Sequence, residues 1–162
     1  MKQLLEYRAD LLARLARQPG ELAEAANAVP EAERTVRRVS GDYTLHRLLA
    51  HVRDLEALAF LPRLRRILTE DSPRLEAFPS HHWSLESYQP DEPMTGILAD
   101  FARAREAALA LLRPLPSEGW GRTGFRPPSG PRTAQWWAER IYTHAREHLD
   151  EIRRAVNTSS TA

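Results

Sequence analysis

"IYTHAREHLDEI", residues 141–152, decides how this chain is read. Ile141, Leu149 and Ile152 recur at the spacings of one helix face, and Trp137 and Val156 extend that stripe over residues 134–156. His144 falls three residues after Ile141 and His148 four before Ile152, so both share the inward stripe. One stretch therefore predicts a long amphipathic helix and two imidazoles one turn apart on its buried side. Thr133, just upstream, is a suitable N-cap.

Three further helices are predicted by the same periodicity. The first covers residues 2–18, with Leu4, Leu5, Leu11, Leu12 and Leu15 on its stripe and Pro19-Gly20 as a stop; a short helical piece comes next, before Pro30. The second starts at Thr44 and runs to about Glu70. Leu45, Leu48, Leu49, Val52, Leu55, Leu58 and Ala59 face inward there, and Pro62 is expected to kink it. The third spans residues 94–113, with Ile97, Leu98, Phe101, Ala104, Ala108, Leu111 and Leu112 facing in. Residues 72–93 read as a loop and residues 114–132 as a Pro/Gly-rich connection; no segment reads as a strand. The expected fold is all-α, an up-down-type four-helix bundle with long loops between helices 2 and 3 and helices 3 and 4. It forms one domain over residues 1–156, and residues 157–162 have the composition of a disordered tail.

Bulk composition excludes several functions. Across 162 residues, 23 Lys plus Arg face 22 Asp plus Glu, which offers no bulk attraction to nucleic acid or an anionic membrane. The longest apolar run, residues 107–112, falls far short of the ~20 residues of a membrane span. The N-terminus carries Glu6 and Asp10 within its apolar pattern, unlike a signal peptide. The absence of cysteine rules out disulfides, thiolate ligands and a cysteine nucleophile. A cytoplasmic protein with neither nucleic acid nor membrane as partner is expected.

The inward histidines need an explanation. His51 lies three residues after Leu48 and four before Leu55, on the inner stripe of the second helix. Facing helices of a bundle combine such side chains into metal sites. Each buried ring left without a partner would cost about 1–3 kcal/mol, a cost that coordination to a divalent ion removes. A carboxylate, a carbonyl or a partly wet bundle end would remove it equally well. His46 is on another face and reads as surface, while His81 and His82 read as exposed loop residues beside Trp83. Glu151, one turn from His148, is the best placed acid to fix a ligating ring, with Asp54 and Glu56 after His51 as further candidates. Glu147 reads as helix-surface charge, and Trp136, Trp137 and Tyr142 as core or helix-contact aromatics.

These segments carry a family resemblance. "DYTLHRLLAHVRDLE" (42–56) resembles a segment in which an aromatic residue and a Ser or Thr open a His-bearing helix. "IYTHAREHLDEI" is similar to the same family's closing His-x-x-x-His segment, and "EGWGRTGF" (118–125) to its connector. The family is the DinB/YfiT-like superfamily, and the resemblance covers about residues 1–156. It implies a four-helix bundle with a divalent metal, zinc or nickel, held by His51, His144 and His148. Glu151 stands where the family often has Gln, which alters the charge near the ion and leaves the ligands alone. Some members are thiol-dependent S-transferases or isomerases. Three neutral imidazoles leave an ion with open positions, the arrangement of a catalytic site. The function so implied is a metal-dependent enzyme, a thiol S-transferase or a hydrolase, acting on a small molecule. Any low-molecular-weight thiol would come from a cosubstrate, because the chain has none. Two alternatives stand beside it: a non-catalytic metal-binding or stress-associated bundle acting through partners, for example as a homodimer, and a bundle whose histidines bind no metal.

Overall fold

A computed structural model of the protein describes residues 1–159. Four long helical rods form a four-helix bundle: α1 (Lys2–Asn27), a composite rod of α2 (Leu45–Asp54), a π-helical turn (Leu55–Phe60) and α3 (Leu61–Thr69), then α5 (Met94–Leu112) and α6 (Ala134–Ser159). α1 packs on α5 and α6, and the composite rod packs on the same two helices. The first two rods therefore face each other diagonally across the bundle. No helix among the described residues is long and apolar enough to cross a membrane.

Helix starts use the expected caps. The Thr44 hydroxyl accepts from the Arg47 amide at 3.3 Å, and that of Thr133 from the Trp136 amide at 3.1 Å. The last helix continues three residues beyond the expected end at 156; residues 160–162, the rest of the expected tail, lie outside the described residues.

α1 departs from expectation by running through Pro19 rather than ending there. A proline leaves the carbonyl four residues earlier without its amide partner. That carbonyl belongs to Leu15, and the buried Arg105 guanidinium donates to it at 3.0 Å. A tertiary bond thus replaces the helical one, and the helix continues. Leu4 and Leu5, assigned to the buried stripe, are exposed.

The composite rod departs at its middle. Pro62 has no amide to offer Leu58, and the chain answers with π-type bonding, Leu61 N–H donating to Glu56 O. The extra residue in this turn rotates the rest of the rod about its axis. Leu58, expected inside, is 44% exposed, while Glu56 and Phe60 turn into the core.

The two connections are not structureless either. Residues 72–93 contain α4 (Ser80–Ser87), strapped to α2 by Trp83 Nε1 donating to Asp54 Oδ2 at 3.0 Å and by Arg47 Nε donating to Ser84 Oγ at 3.1 Å. Two short antiparallel hairpins correct the strand-free expectation: β1 (Arg38–Ser40) with β2 (Tyr43–Thr44), and β3 (Thr123–Arg126) with β4 (Gly130–Thr133). Gly130 turns the second hairpin at φ 77, and a Cβ on Gly124 would meet Ile67 Cγ1 at 2.8 Å. Only glycine at 124 lets β3 lie this close against α3.

The core divides into two apolar clusters. One gathers around Leu15, Leu64, Ile67, Leu109 and Trp137, the other around Leu22, Leu48, Phe101, Leu149 and Ile152. Between them along the rods fall Gln18, Glu56, Arg105 and His144, all buried. A polar layer crosses the bundle at mid-height.

Candidate metal centre

His51, His144 and His148 meet on the open side of that layer. The i, i+4 spacing on α6 sets His144 edge-on to His148, with ring centroids 4.6 Å apart, and α2 brings His51 across from them. The Nε2 atoms of His144 and His51 are 3.4 Å apart, and those of His148 and His144 are 3.2 Å apart. One ring nitrogen from each residue lies within 4.8 Å of the others. Two imidazoles each about 2.05 Å from a tetrahedral ion would have nitrogens about 3.3 Å apart. The spacing of the cluster fits metal binding.

Each ring is held by a different neighbour. Glu151 Oε2 accepts from His148 Nδ1 at 2.8 Å, which leaves the Nε2 lone pair directed at the cluster. Tyr43, delivered by the first hairpin, stacks on His51 with ring centroids 5.6 Å apart. Phe60, turned inward by the π-helical turn, meets His144 edge-on at 5.3 Å. Burial, with the His148 charge next in importance, pushes the His51 imidazole down to about 4. The same two causes, with His51 and two arginines adding to them, push His144 down to about 2. Both rings are therefore neutral near pH 7, the state in which an imidazole is a ligand.

The other candidate acids lie elsewhere. Asp54 is held by Arg53 and by Trp83 on the strap. Glu56 turns into the polar layer, where it pairs bidentately with Arg105 at 2.6 and 3.2 Å. Arg105 also donates to Gln18 Oε1 at 2.6 Å, and Gln18 Nε2 reaches Tyr142 O at 2.9 Å. His46, read as surface, is buried: Nδ1 meets Tyr88 Oη at 2.8 Å and Nε2 meets Glu92 O at 2.7 Å. The strap of residues 72–93 covers it, which helix periodicity does not report. His81 and His82 are exposed on α4.

A cavity of about 410 Å³ opens over the three histidines. Both long connections wall it, Phe78 and Ser80 from one and Arg126 from the other, with Arg63, Trp136 and Arg140 from the helices. Glu147, read as helix-surface charge, is exposed and lies 3.4 Å from Arg140 Nη1 at the edge of this cavity. Sequence reasoning missed the arginines. Arg63 alone left a signal, three residues after Phe60 on the buried face of α3, whereas Arg126 is placed only by the docking of its hairpin.

Comparison with known proteins bears on the whole chain. The family model of the DinB superfamily matches residues 14–152. The fold is similar to the solved structure of YfiT from Bacillus subtilis, described as a probable metal-dependent hydrolase with an unusual four-helix bundle topology. The TM-score is 0.87 at 19% sequence identity, over 96% of this chain and 89% of that one. No curated protein matches the sequence.

Proposed function

The chain belongs to the DinB superfamily, and from that premise we propose that it is a divalent-metal-dependent enzyme acting on a small molecule in the cavity over its histidines. His51, His144 and His148 would hold the ion through Nε2, with zinc or nickel the fitting choices for an all-imidazole set. The observation that carries this reading is the convergence of three metal-spaced ring nitrogens at the base of an open pocket. A closed structural site would surround the ion with protein, and here one side faces the cavity. An ion bound there supplies Lewis acidity and lowers the pKa of a water or thiol.

The chain's own groups do the rest. Glu151 fixes the His148 tautomer. Glu147 is the one carboxylate among the residues lining the cavity, and in this reading it would take up a proton from the nucleophile. Trp136 and Phe78 supply apolar wall against which a substrate body can pack. Water as nucleophile gives a hydrolase, the activity named for YfiT; a cosubstrate thiol gives an S-transferase.

Elemental analysis of untagged protein tests the metal. The wild type is expected to carry close to one divalent ion per chain, and His144→Ala essentially none. Metal-free wild type, or an undiminished content in the variant, sinks the proposal. Ester, amide and thiol-plus-electrophile substrates then separate the two reactions, each assayed before and after metal removal and with Glu147→Gln. Turnover that survives metal removal would overturn the mechanism.

A further inference from the structure

Buried and half-buried arginines in this protein are answered in different ways. Arg105 has Glu56, Arg53 has Asp54 and Glu92, and Arg8 has Gln135 Oε1 and the Ser117 carbonyl. Two arginines of the cavity over the histidines are answered by one hydrogen bond each. Arg63 is 8% exposed, and its one hydrogen bond goes to a backbone carbonyl, Glu76 O at 2.8 Å. Its guanidinium lies over the Trp137 ring, 5.2 Å from the centroid. Arg126 meets only the Ser129 hydroxyl, at 3.4 Å. Among the described residues no carboxylate pairs with either.

Unanswered donors collect at the same place. Three buried side-chain nitrogens among the described residues have no acceptor: Arg126 Nε, Trp137 Nε1 and Arg132 Nε. Arg126 and Trp137 line the cavity, and Arg132 stacks on Trp136, another of its walls, at 5.3 Å. Buried donors without acceptors are rare and call for a partner. The single lining carboxylate, Glu147, is already engaged by Arg140. Two arginines close enough for Arg126 to push the Arg63 pKa down, after the larger effect of burial, would be relieved by an anion between them.

We propose that Arg63 and Arg126, with the Trp137 indole N–H, form an oxyanion-binding subsite in this cavity, so that its small-molecule substrate carries a carboxylate or phosphate group. The guanidinium fork matches either group with paired donors. The proposal rests on the cavity being the substrate site, but it does not require the metal. Arg63 and Arg126 share one cavity with the three histidines, so an anion seated there leaves its remaining body in the same space. Binding energy from that remote charged group then orients the reacting bond.

Inorganic phosphate and acetate titrated into the metal-free full-length protein test this, with acetamide as the neutral counterpart of acetate. Tryptophan fluorescence reports occupancy, since Trp136 and Trp137 line the cavity. Saturable binding of at least one anion is expected, with none for acetamide; which anion binds more tightly identifies the group. Arg126→Gln should weaken it about 10- to 100-fold, the loss expected for charged hydrogen bonds. Arg63→Lys, which keeps charge but loses the fork, should weaken it less, and Arg14→Gln, which does not line the cavity, not at all. Absence of saturable binding, or unchanged affinity in a folded Arg126→Gln protein, overturns the proposal. Arg126-dependent binding in a wild type that never carries metal would sustain it while removing the metal reading. Metal binding without anion binding would do the reverse.

Discussion

The polar layer at mid-bundle has a sealed half and an open half, and they are built on opposite principles. In the sealed half every nitrogen of Arg105 is answered, by Glu56 twice, by Gln18 and by the Leu15 carbonyl. Nothing is left over for a ligand. In the open half three ring nitrogens face one another across a gap of ion size, and neighbouring donors lack acceptors. Both halves bury polar groups at a cost, but only the first recovers that cost within the protein. The sealed half therefore reads as architecture, whereas the open half presents ring nitrogens and donors toward a cavity.

The largest expected effect separates them by stability. Glu56→Ala leaves Arg105, itself 1% exposed, as an unpaired interior charge. Such losses run to about 3–5 kcal/mol, and for a chain this long each kcal/mol moves Tm by about 2–4 °C. Replacing both partners, Glu56→Leu with Arg105→Met, should recover only part of the loss: the desolvation cost goes with the charges, but the Leu15 carbonyl and Gln18 Oε1 lose their donor. His144→Ala in metal-free protein removes one of three rings packed against one another and should cost far less than Glu56→Ala. Thermal melts of the four proteins decide the matter. An Ala at 144 that is as damaging as one at 56 would make the histidines part of the architecture, and the comparison would fail.

The two halves also differed in how legible they were. Helical stripes and the Thr44 and Thr133 caps placed the bundle, and the inward positions of His51, His144 and His148 pointed to one another through periodicity alone. The sealed pair left an equally local signal: Arg105 lies four residues after Phe101 and three before Ala108, on the buried stripe of α5. Two prolines misled because their cost is set elsewhere. Pro19 is tolerated because Arg105 bonds the carbonyl it frees, and Pro62 because a π-helical turn absorbs the missing amide. That turn slips the register by one residue, which is why Leu58 is outside and Phe60 inside. His46 and Arg126 were unreadable for a related reason. Their surroundings come from a strap and a hairpin docked from far along the chain, and no periodicity within their own segments records that.

A smaller effect tests the open half through pH. In metal-free protein the folded state holds His51 near 4 and His144 near 2, while the unfolded chain has the ordinary value near 6.5. Below pH 6.5 the unfolded chain therefore binds protons that the folded protein refuses. Stability is full above that pH and falls as pH drops toward the folded values. The slope is at most about 1.4 kcal/mol per pH unit for each ring. Between pH 6.5 and 5 ordinary carboxylates titrate little, so urea midpoints in that window isolate the histidines. His51→Ala with His144→Ala should flatten the curve. An equal slope in the double variant would place the acid sensitivity elsewhere.

The finest distinction concerns Glu151, which borders the open half and holds His148 from outside the histidine cluster. Its carboxylate holds the His148 Nδ1 proton at 2.8 Å, and both side chains are only partly buried, 15% and 27% exposed. Solvent can replace much of that bond in the metal-free state, so Glu151→Ala should shift apo stability by less than about 1 kcal/mol. Metal affinity is more sensitive, because the bond selects the tautomer whose Nε2 lone pair faces the cluster. Loss of such an orienting partner typically costs about 10- to 100-fold in affinity. Glu151→Gln keeps an acceptor oxygen but gives up the charge, so it should fall between wild type and Ala. Competition with a metallochromic chelator measures all three. A Gln variant as weak as Ala would mean that the negative charge, rather than the hydrogen bond, is what Glu151 lends the site.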